Sequence, residues 1–382
     1  MEFLWQGVLS ITPQQLVMYV VGGLLIWLAI EKGFEPALLL PMGFGAILVN
    51  LPLSGVIDQA GAGGGVTHGI VQWLFQVGIE ASEAMPILLF IGIGAMIDFG
   101  PLLADPRLFL CGAAAQAGIF LTVLLATVLG FDMKDAAAIG IIGAADGPTS
   151  ILVSQVLGSN YVGAIAVAAY SYMAMVPIIQ PAAIKLVTTK NERAMAMPYA
   201  PGRVSRRLRI LFPILVTVVS GLVAPASVAL VGFLMLGNLI RECGVLVTLS
   251  NTAQNELANL ITLLLGVTIS FSMRADQFVR VETLMILCLG LVAFVLDTVV
   301  GVLFVKALNL FMPRRKINPM IGAAGISAFP MSARVIEKLG QEADPRNHLL
   351  MQATGANVSG QIASVVAGGV ILQYCAVHMI GG

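Results

Sequence analysis

Ile142-Gly143-Ala144-Ala145-Asp146-Gly147-Pro148-Thr149-Ser150 is the stretch that decides how this chain folds. Its first residues can extend an apolar helix, but then an acid is followed by glycine and proline. Proline lacks an amide donor and disfavours helical geometry at the residue before it, so the helix breaks beside Asp146. A second stretch, Ile321-Gly322-Ala323-Ala324-Gly325-Ile326-Ser327-Ala328-Phe329-Pro330, has the same plan. Both segments end in Leu-Gly, at Leu157-Gly158 and Leu339-Gly340.

Composition says what solvent surrounds these breaks. The 382 residues are 58% hydrophobic and 10% charged, with a mean hydropathy of +0.95. A soluble domain carries about 25% charged residues, so lipid must solvate much of this chain. The net charge of zero creates no field for nucleic acid. Cys111, Cys243, Cys288 and Cys375 stand singly in apolar runs, and His68, His348 and His378 are scattered, so neither type makes a metal cluster. No phosphate-binding loop follows a strand. The opening MEFLWQGVLS lacks a basic region and a cleavage site, so no removable signal peptide is expected.

Apolar spans are expected at 15–30, 36–53, 84–100, 108–130 and 161–187, then at 208–222, 224–240, 254–271, 279–311 and 346–374. The loop with Lys185, Lys190, Arg193, Arg203, Arg206, Arg207 and Arg209 should be cytoplasmic, as should Arg314-Arg315-Lys316, whereas 54–83 has acids and no Lys or Arg and fits outside. The count then puts both ends of 136–158 outside and both ends of 317–340 inside. Each must be a re-entrant hairpin. The fold class expected is an all-α integral membrane protein of two inverted-topology repeats, residues 1–200 and 201–382, each with about five spans and one broken hairpin. Leu88-Leu89-Phe90-Ile91-Gly92 against Leu263-Leu264-Leu265-Gly266 adds to the repeat. Such repeats place a transport site near the midplane.

A carboxylate near a membrane centre costs about 2.5–3.5 kcal/mol on insertion scales. Asp146 therefore points to function. With freed carbonyls and the Thr149 and Ser150 hydroxyls it forms an all-oxygen environment of the kind Na⁺ prefers; a plainer reading is a helix cap. The second break offers Ser327, Pro330, Ser332 and Arg334. Arg334 could pair with Asp146, bind a substrate carboxylate, or reach the cytoplasmic face. Tyr170, Ser171, Tyr172 and Pro177 follow the first hairpin; Thr354, Asn357, Ser359 and Ser364 follow the second. The carboxamide of Asn357 could complete a cation shell opposite Asp146 or bond another helix. Asp98, Asp105 and Arg274 are weaker candidates, and Asp297, deep in its span, could hold a proton.

These segments resemble the β subunit of the biotin-dependent, sodium-transporting decarboxylases. The likeness covers nearly the whole chain and is most specific at Gly143–Thr149, Tyr170–Ala174, Asn318–Arg334 and Asn357-Val358-Ser359-Gly360. The resemblance implies a translocase subunit that decarboxylates carboxybiotin, consumes a proton and exports Na⁺. The biotin is carried on a partner, not covalently on this chain. It implies Asp146, Thr149, Asn357, Ser327, Asn318 and Gly322 at the sodium site, Arg334 and Ser332 at carboxybiotin, and Arg334, Ser327, Tyr172 and Asp146 in the reaction. It implies a biotin-carrier subunit, a carboxyltransferase subunit and a small membrane-anchored subunit as partners, a homo-oligomer within the complex, and a bacterial or archaeal cytoplasmic membrane. The rival readings are a Na⁺/H⁺ antiporter or Na⁺-coupled carboxylate carrier, and a structural anchor that would leave Asp146 and Arg334 without purpose.

Overall fold

The computed structural model describes residues 5–33, 35–60, 66–81, 83–197, 204–312 and 315–379. Arg203 and Arg314, used above for orientation, lie outside the described residues, as do the first four of the chain. The His378 side chain is likewise not described.

The chain is almost entirely helical. Its first half contains α1 (Pro13–Glu31), α2 (Pro36–Asn50), α3 (Ile70–Phe75, continued as a π-helix over Gln76–Glu80), α4 (Ala84–Met96), α5 (Leu108–Val128), the hairpin helices α6 (Met133–Gly140) and α7 (Gly147–Val156), and α8 (Val162–Val187). Its second half contains α9 (Arg206–Val223), α10 (Val228–Glu242), α11 (Val247–Met273, with a π-helical turn at Ala253–Leu257), α12 (Val281–Phe311), the hairpin helices α13 (Met320–Ala323) and α14 (Met331–Ala343), and α15 (Leu350–Met379). A pair of two-residue strands, Gln59–Ala60 and Val66–Thr67, sits between α2 and α3.

Among the described residues, six helices are long and apolar enough to cross a bilayer, or eight if two bent pairs each count once. The bends are 66° between α3 and α4 and 68° within α8, between Val162–Met173 and Met175–Val187. Pro177 follows the second bend and cannot donate its backbone hydrogen bond. The count falls short of ten for physical reasons. Helix α2 has 15 residues, about 22 Å at 1.5 Å per residue, against a hydrocarbon core of about 30 Å. Helix α9 opens on Arg206, Arg207 and Arg209, which shortens its apolar part.

The two halves share an order of elements, and the π-helical turns fall in the third element of each. Packing between them is reciprocal: α4 packs on α10 and α11 on α2, while α5 packs on α15 and α12 on α8. Small residues allow one close approach. Gly301 of α12 and Gly322 of α13 face each other so tightly that a Cβ on either would overlap the other's carbonyl oxygen.

The ends of each hairpin are tied together by hydrogen bonds. Asp135, at the start of the first, accepts hydrogen bonds from Ser159 Oγ (2.7 Å), Asn160 N (2.9 Å) and Asn160 Nδ2 (3.0 Å) beyond its end. The second is closed by a shared acceptor: Asn318 Nδ2 (3.1 Å) and Asn347 Nδ2 (2.9 Å) both donate to the carbonyl of Arg193. The basic loops read as one face do meet. Lys185 pairs with Glu342 (3.0 Å), Lys306 with Glu192 (2.8 Å), and Arg209 with Asp98 (3.5 Å) and Glu242 (3.8 Å), while Arg107 Nη1 donates to the Arg315 carbonyl (2.8 Å). Asp98 and Asp105 thus belong to an interfacial ion-pair belt, with Asp105 held by Arg107 (2.6 Å).

The Gly301–Gly322 contact yields a test of this packing. Gly301→Ala should lower the thermal stability of the detergent-solubilised protein, by about 1–3 kcal/mol in the range of overpacked cores. Gly232→Ala, whose Cβ would meet nothing nearer than 3.8 Å, should leave it unchanged. Equal melting of both variants and the parent would refute the contact.

Candidate cation site at the crossing of two broken helices

Helix α6 tightens into a 3₁₀ turn at Ile141–Ala144. Ala145 then takes a left-handed φ of 52° and Asp146 an extended φ of −121° before α7 begins. Asp146 is the cap of α7: its Oδ1 accepts from Thr149 N (3.1 Å), and Pro148 fits the first turn, where no amide donor is needed. The capping reading is therefore correct, but it accounts for one carboxylate oxygen only.

The other oxygen faces the second half. Asp146 Oδ2 accepts from Ser364 Oγ on α15 (2.7 Å) and from Ser327 Oγ in the second break (3.3 Å), and the two hydroxyls are 2.5 Å apart. The backbones also touch, since Ser327 N donates to the Ala144 carbonyl (2.9 Å). The two breaks thus meet as one buried unit, and Asp146 itself is buried. No Lys or Arg pairs with Asp146 among the described residues; the expected alternative pairing with Arg334 is not made.

Helix α15 supplies the rest of the shell from one face. Asn357, Gln361 and Ser364 stand at i, i+4 and i+7. Asn357 Nδ2 donates to the carbonyls of Ala324 (3.2 Å) and Ile326 (2.6 Å), and Gln361 Nε2 donates to that of Ser327. Several of the freed carbonyls are thus satisfied by amide donors. What remains without a partner is a set of buried oxygens: Asn357 Oδ1, Gln361 Oε1, Thr149 Oγ1 and the Tyr170 hydroxyl. Unpaired buried oxygens around an unpaired carboxylate are the complement of a hard cation, so the residues present fit Na⁺. A cavity of about 220 Å³ opens beside them, lined by Asp146, Tyr170, Ser327 and Gln361 among others.

The structure brings together Asp146, Thr149, Ser327 and Asn357 of the expected residues and separates the others. Tyr172 donates its hydroxyl to the Leu287 carbonyl and ties α8 to α12; its neighbour Tyr170 is the one packed on Gly147 at the break. Asn318 Nδ2 donates to the Arg193 and Met195 carbonyls at the hairpin's entrance, and its Oδ1 accepts from Met320 N (3.0 Å). Gly322 acts through its close contact with Gly301. Ser332 is fully buried, exchanging hydrogen bonds with Gln180 (2.8 and 3.0 Å), and does not line the groove of Arg334. Arg334 is exposed and lines a groove of about 390 Å³ with Pro177, Ile178, Pro181 and Lys338. Arg274 lies far along the chain from both breaks, beside Phe271 (4.8 Å) and Asp276 (3.8 Å). Asp297 is buried behind the first break, 2.7 Å from where a Cβ on Gly143 would stand. Ser364 was read as polar but not placed at the site, and Gln361 was not singled out. Their helical spacing from Asn357 was the available signal.

Comparison with known proteins shows the family of the chain. The profile of the family described as Na⁺-transporting oxaloacetate decarboxylase beta subunit matches residues 14–375. The chain is 47% identical to the glutaconyl-CoA decarboxylase subunit beta of Acidaminococcus fermentans, over 98% of this chain and 96% of the relative. It is 47% identical to the methylmalonyl-CoA decarboxylase subunit beta of Propionigenium modestum, over 96% of each. It is 43% identical to the oxaloacetate decarboxylase beta chain of Klebsiella pneumoniae, again over 96% of each. With residues 14–375 matched and 43–47% identity to these relatives over nearly all of its length, the chain belongs to the family of Na⁺-transporting decarboxylase beta subunits.

Proposed function

We propose that this chain is the membrane subunit of a primary sodium pump, that it decarboxylates carboxybiotin brought by a carrier subunit, and that Asp146 holds the transported Na⁺. The supporting observation is the Asp146 carboxylate, buried between two broken hairpins with hydroxyl and amide donors but no cationic side chain around it. Ser327 and Ser364 donate to it. A hydroxyl is also an acceptor. When Na⁺ enters, both can rotate and present lone pairs, joined by Asn357 Oδ1 and Thr149 Oγ1. Protonation of Asp146 is the alternative way to neutralise the site, so a proton and Na⁺ compete for it.

The chemistry and the transport meet at the second hairpin. Arg334 sits on α14, the helix that leaves the break holding Ser327. Its guanidinium is suited to the carboxylate of carboxybiotin. Decarboxylation breaks the bond between the biotin nitrogen and the carboxyl carbon, CO₂ leaves, and the nitrogen takes a proton. Exporting one Na⁺ against 100 mV requires about 2.3 kcal/mol before any concentration gradient. In this reading residues 1–200 and 201–382 are inverted repeats, the ion-pair belt faces the cytoplasm, and the first hairpin opens outside. The partners are a biotin-carrier subunit, a carboxyltransferase subunit and a small membrane-anchored subunit, in a bacterial or archaeal cytoplasmic membrane.

Three measurements on the reconstituted complex test the assignment. Asp146→Asn should abolish Na⁺-stimulated decarboxylation of carboxybiotin; full activity would end the assignment. Ser364→Ala should raise the half-saturating Na⁺ concentration by roughly tenfold or more, the value of a hydrogen bond to a charged group, and an unchanged Na⁺ dependence would remove Ser364 from the shell. Arg334→Lys should weaken use of carboxybiotin while sparing Na⁺ affinity, because an ammonium cannot make the planar two-point contact; a parallel loss of Na⁺ affinity would contradict the separation of the two sites.

A further inference from the structure

The cavity beside Asp146 has a second carboxylate at its far end. Glu35 lines it together with Asp146, Asn259, Thr262, Ser327 and Gln361. Its lining thus carries two acids, several neutral oxygens and, among the described residues, no Lys, Arg or His. Water-filled space with walls of this kind concentrates cations and repels anions. Glu35 is fixed there by its backbone. It is the N-cap of α2, held at φ 36° in the left-handed region and followed by Pro36. A non-glycine residue in that conformation costs of order 1–3 kcal/mol and persists where the surroundings demand it. The side chain makes no ion pair among the described residues. Burial pushes its carboxyl above the ordinary pKa, and the Arg334 guanidinium partly opposes that shift.

Arg334 lines the neighbouring groove and not the cavity. The two openings adjoin where Pro330 lines the cavity and Met331 the groove; the cavity carries Glu35 and Asp146 without a basic side chain, and the groove carries Arg334 and Lys338 with Glu342. We propose that Glu35 is the entry carboxylate of the cation path: it draws Na⁺ from the side of the ion-pair belt into the cavity that ends at Asp146, and it turns the incoming organic carboxylate away toward Arg334. This rests on the assignment of Asp146 as the Na⁺ site. Met96, at the end of α4, also lines the cavity, and its carbonyl accepts from Arg241 Nη1 (2.6 Å) of the belt, which sets the mouth on that side.

The test is the Na⁺ dependence of carboxybiotin decarboxylation by the complex at low ionic strength, for Glu35→Asp, Glu35→Gln and Glu35→Lys. Glu35→Gln should raise the half-saturating Na⁺ concentration about two- to tenfold, the range for one charge acting over roughly 10 Å, and more than it lowers the maximal rate. Glu35→Lys should raise it further, and Glu35→Asp should stay near the parent. The differences should shrink when choline chloride raises the ionic strength. Unchanged half-saturation in Glu35→Gln, or a salt-independent fall in rate across the series, would overturn the proposal. Asp146→Asn run in parallel separates the two ideas: if that variant still responds to Na⁺, the site assignment itself fails whatever Glu35 does.

Discussion

The bond between the two hairpins at Asp146 is the constraint on which the rest depends. One carboxylate oxygen caps α7 within its own hairpin, and the other is held by hydroxyls from the opposite half. A broken helix in lipid leaves backbone groups without partners, which hydrocarbon cannot satisfy. Here each break supplies what the other lacks: Ala144 offers a carbonyl and Ser327 an amide. Neither hairpin could stay at that depth alone. The long helices around them can be seen as the means of holding two unstable segments in register.

Much of this was legible in the sequence because the physics is local. Gly147-Pro148 after an acid forces a break wherever it occurs, and the basic residues of 185–209 fix a face by their number. The hairpins, their boundaries and their mutual contact through Asp146, Ser327 and Asn357 follow from such signals. The surroundings of Asn318 and Ser332 are assembled from distant parts of the chain. The resemblance implies Asn318 at the sodium site and Ser332 at carboxybiotin; in the structure the Asn318 amide nitrogen bonds the 193–195 backbone, which no spacing rule announces. Ser332 bonds Gln180 while Arg334 is exposed, since two residues apart on a helix face different ways. Tyr170 and Tyr172 diverge for the same reason. Apolar content alone does not register that α2 is short or that α9 begins with arginines, so ten expected spans stand against six to eight helices that are long and apolar enough among the described residues.

The family resemblance added what local physics could not. A buried acid between broken helices is equally at home in an antiporter. What separates a decarboxylase subunit from a secondary carrier here is the match along the whole chain and the presence of Arg334 at a groove apart from the acid-lined cavity. In the proposed reading, anion and cation approach by different openings that adjoin at the start of α14, where Pro330 lines the cavity and Met331 the groove.

That shared element also explains why the second break carries no acid. Were Ser327 a second carboxylate, the crossing would hold two like charges within hydrogen-bond distance, and one would stay protonated in the manner of paired carboxylates. A serine keeps Asp146 as the one carboxylate at the crossing, so that in the proposed reading occupancy by Na⁺ or by a proton is an exclusive choice made there. The amides of Asn357 and Gln361 serve the same end: each spends its nitrogen on a main-chain carbonyl of the break and leaves its oxygen unpartnered. The shell is then built largely from side-chain oxygens anchored to the second hairpin. A shift of α14 in response to a carboxylate at Arg334 would move Ser327 directly, and through the carbonyls it would alter the orientation of both amides, while Asp146 stays capped on the first hairpin. In the proposed reading, substrate binding on one element and cation binding on the other are thereby joined through the hydrogen bonds that meet at Asp146 and Ser327.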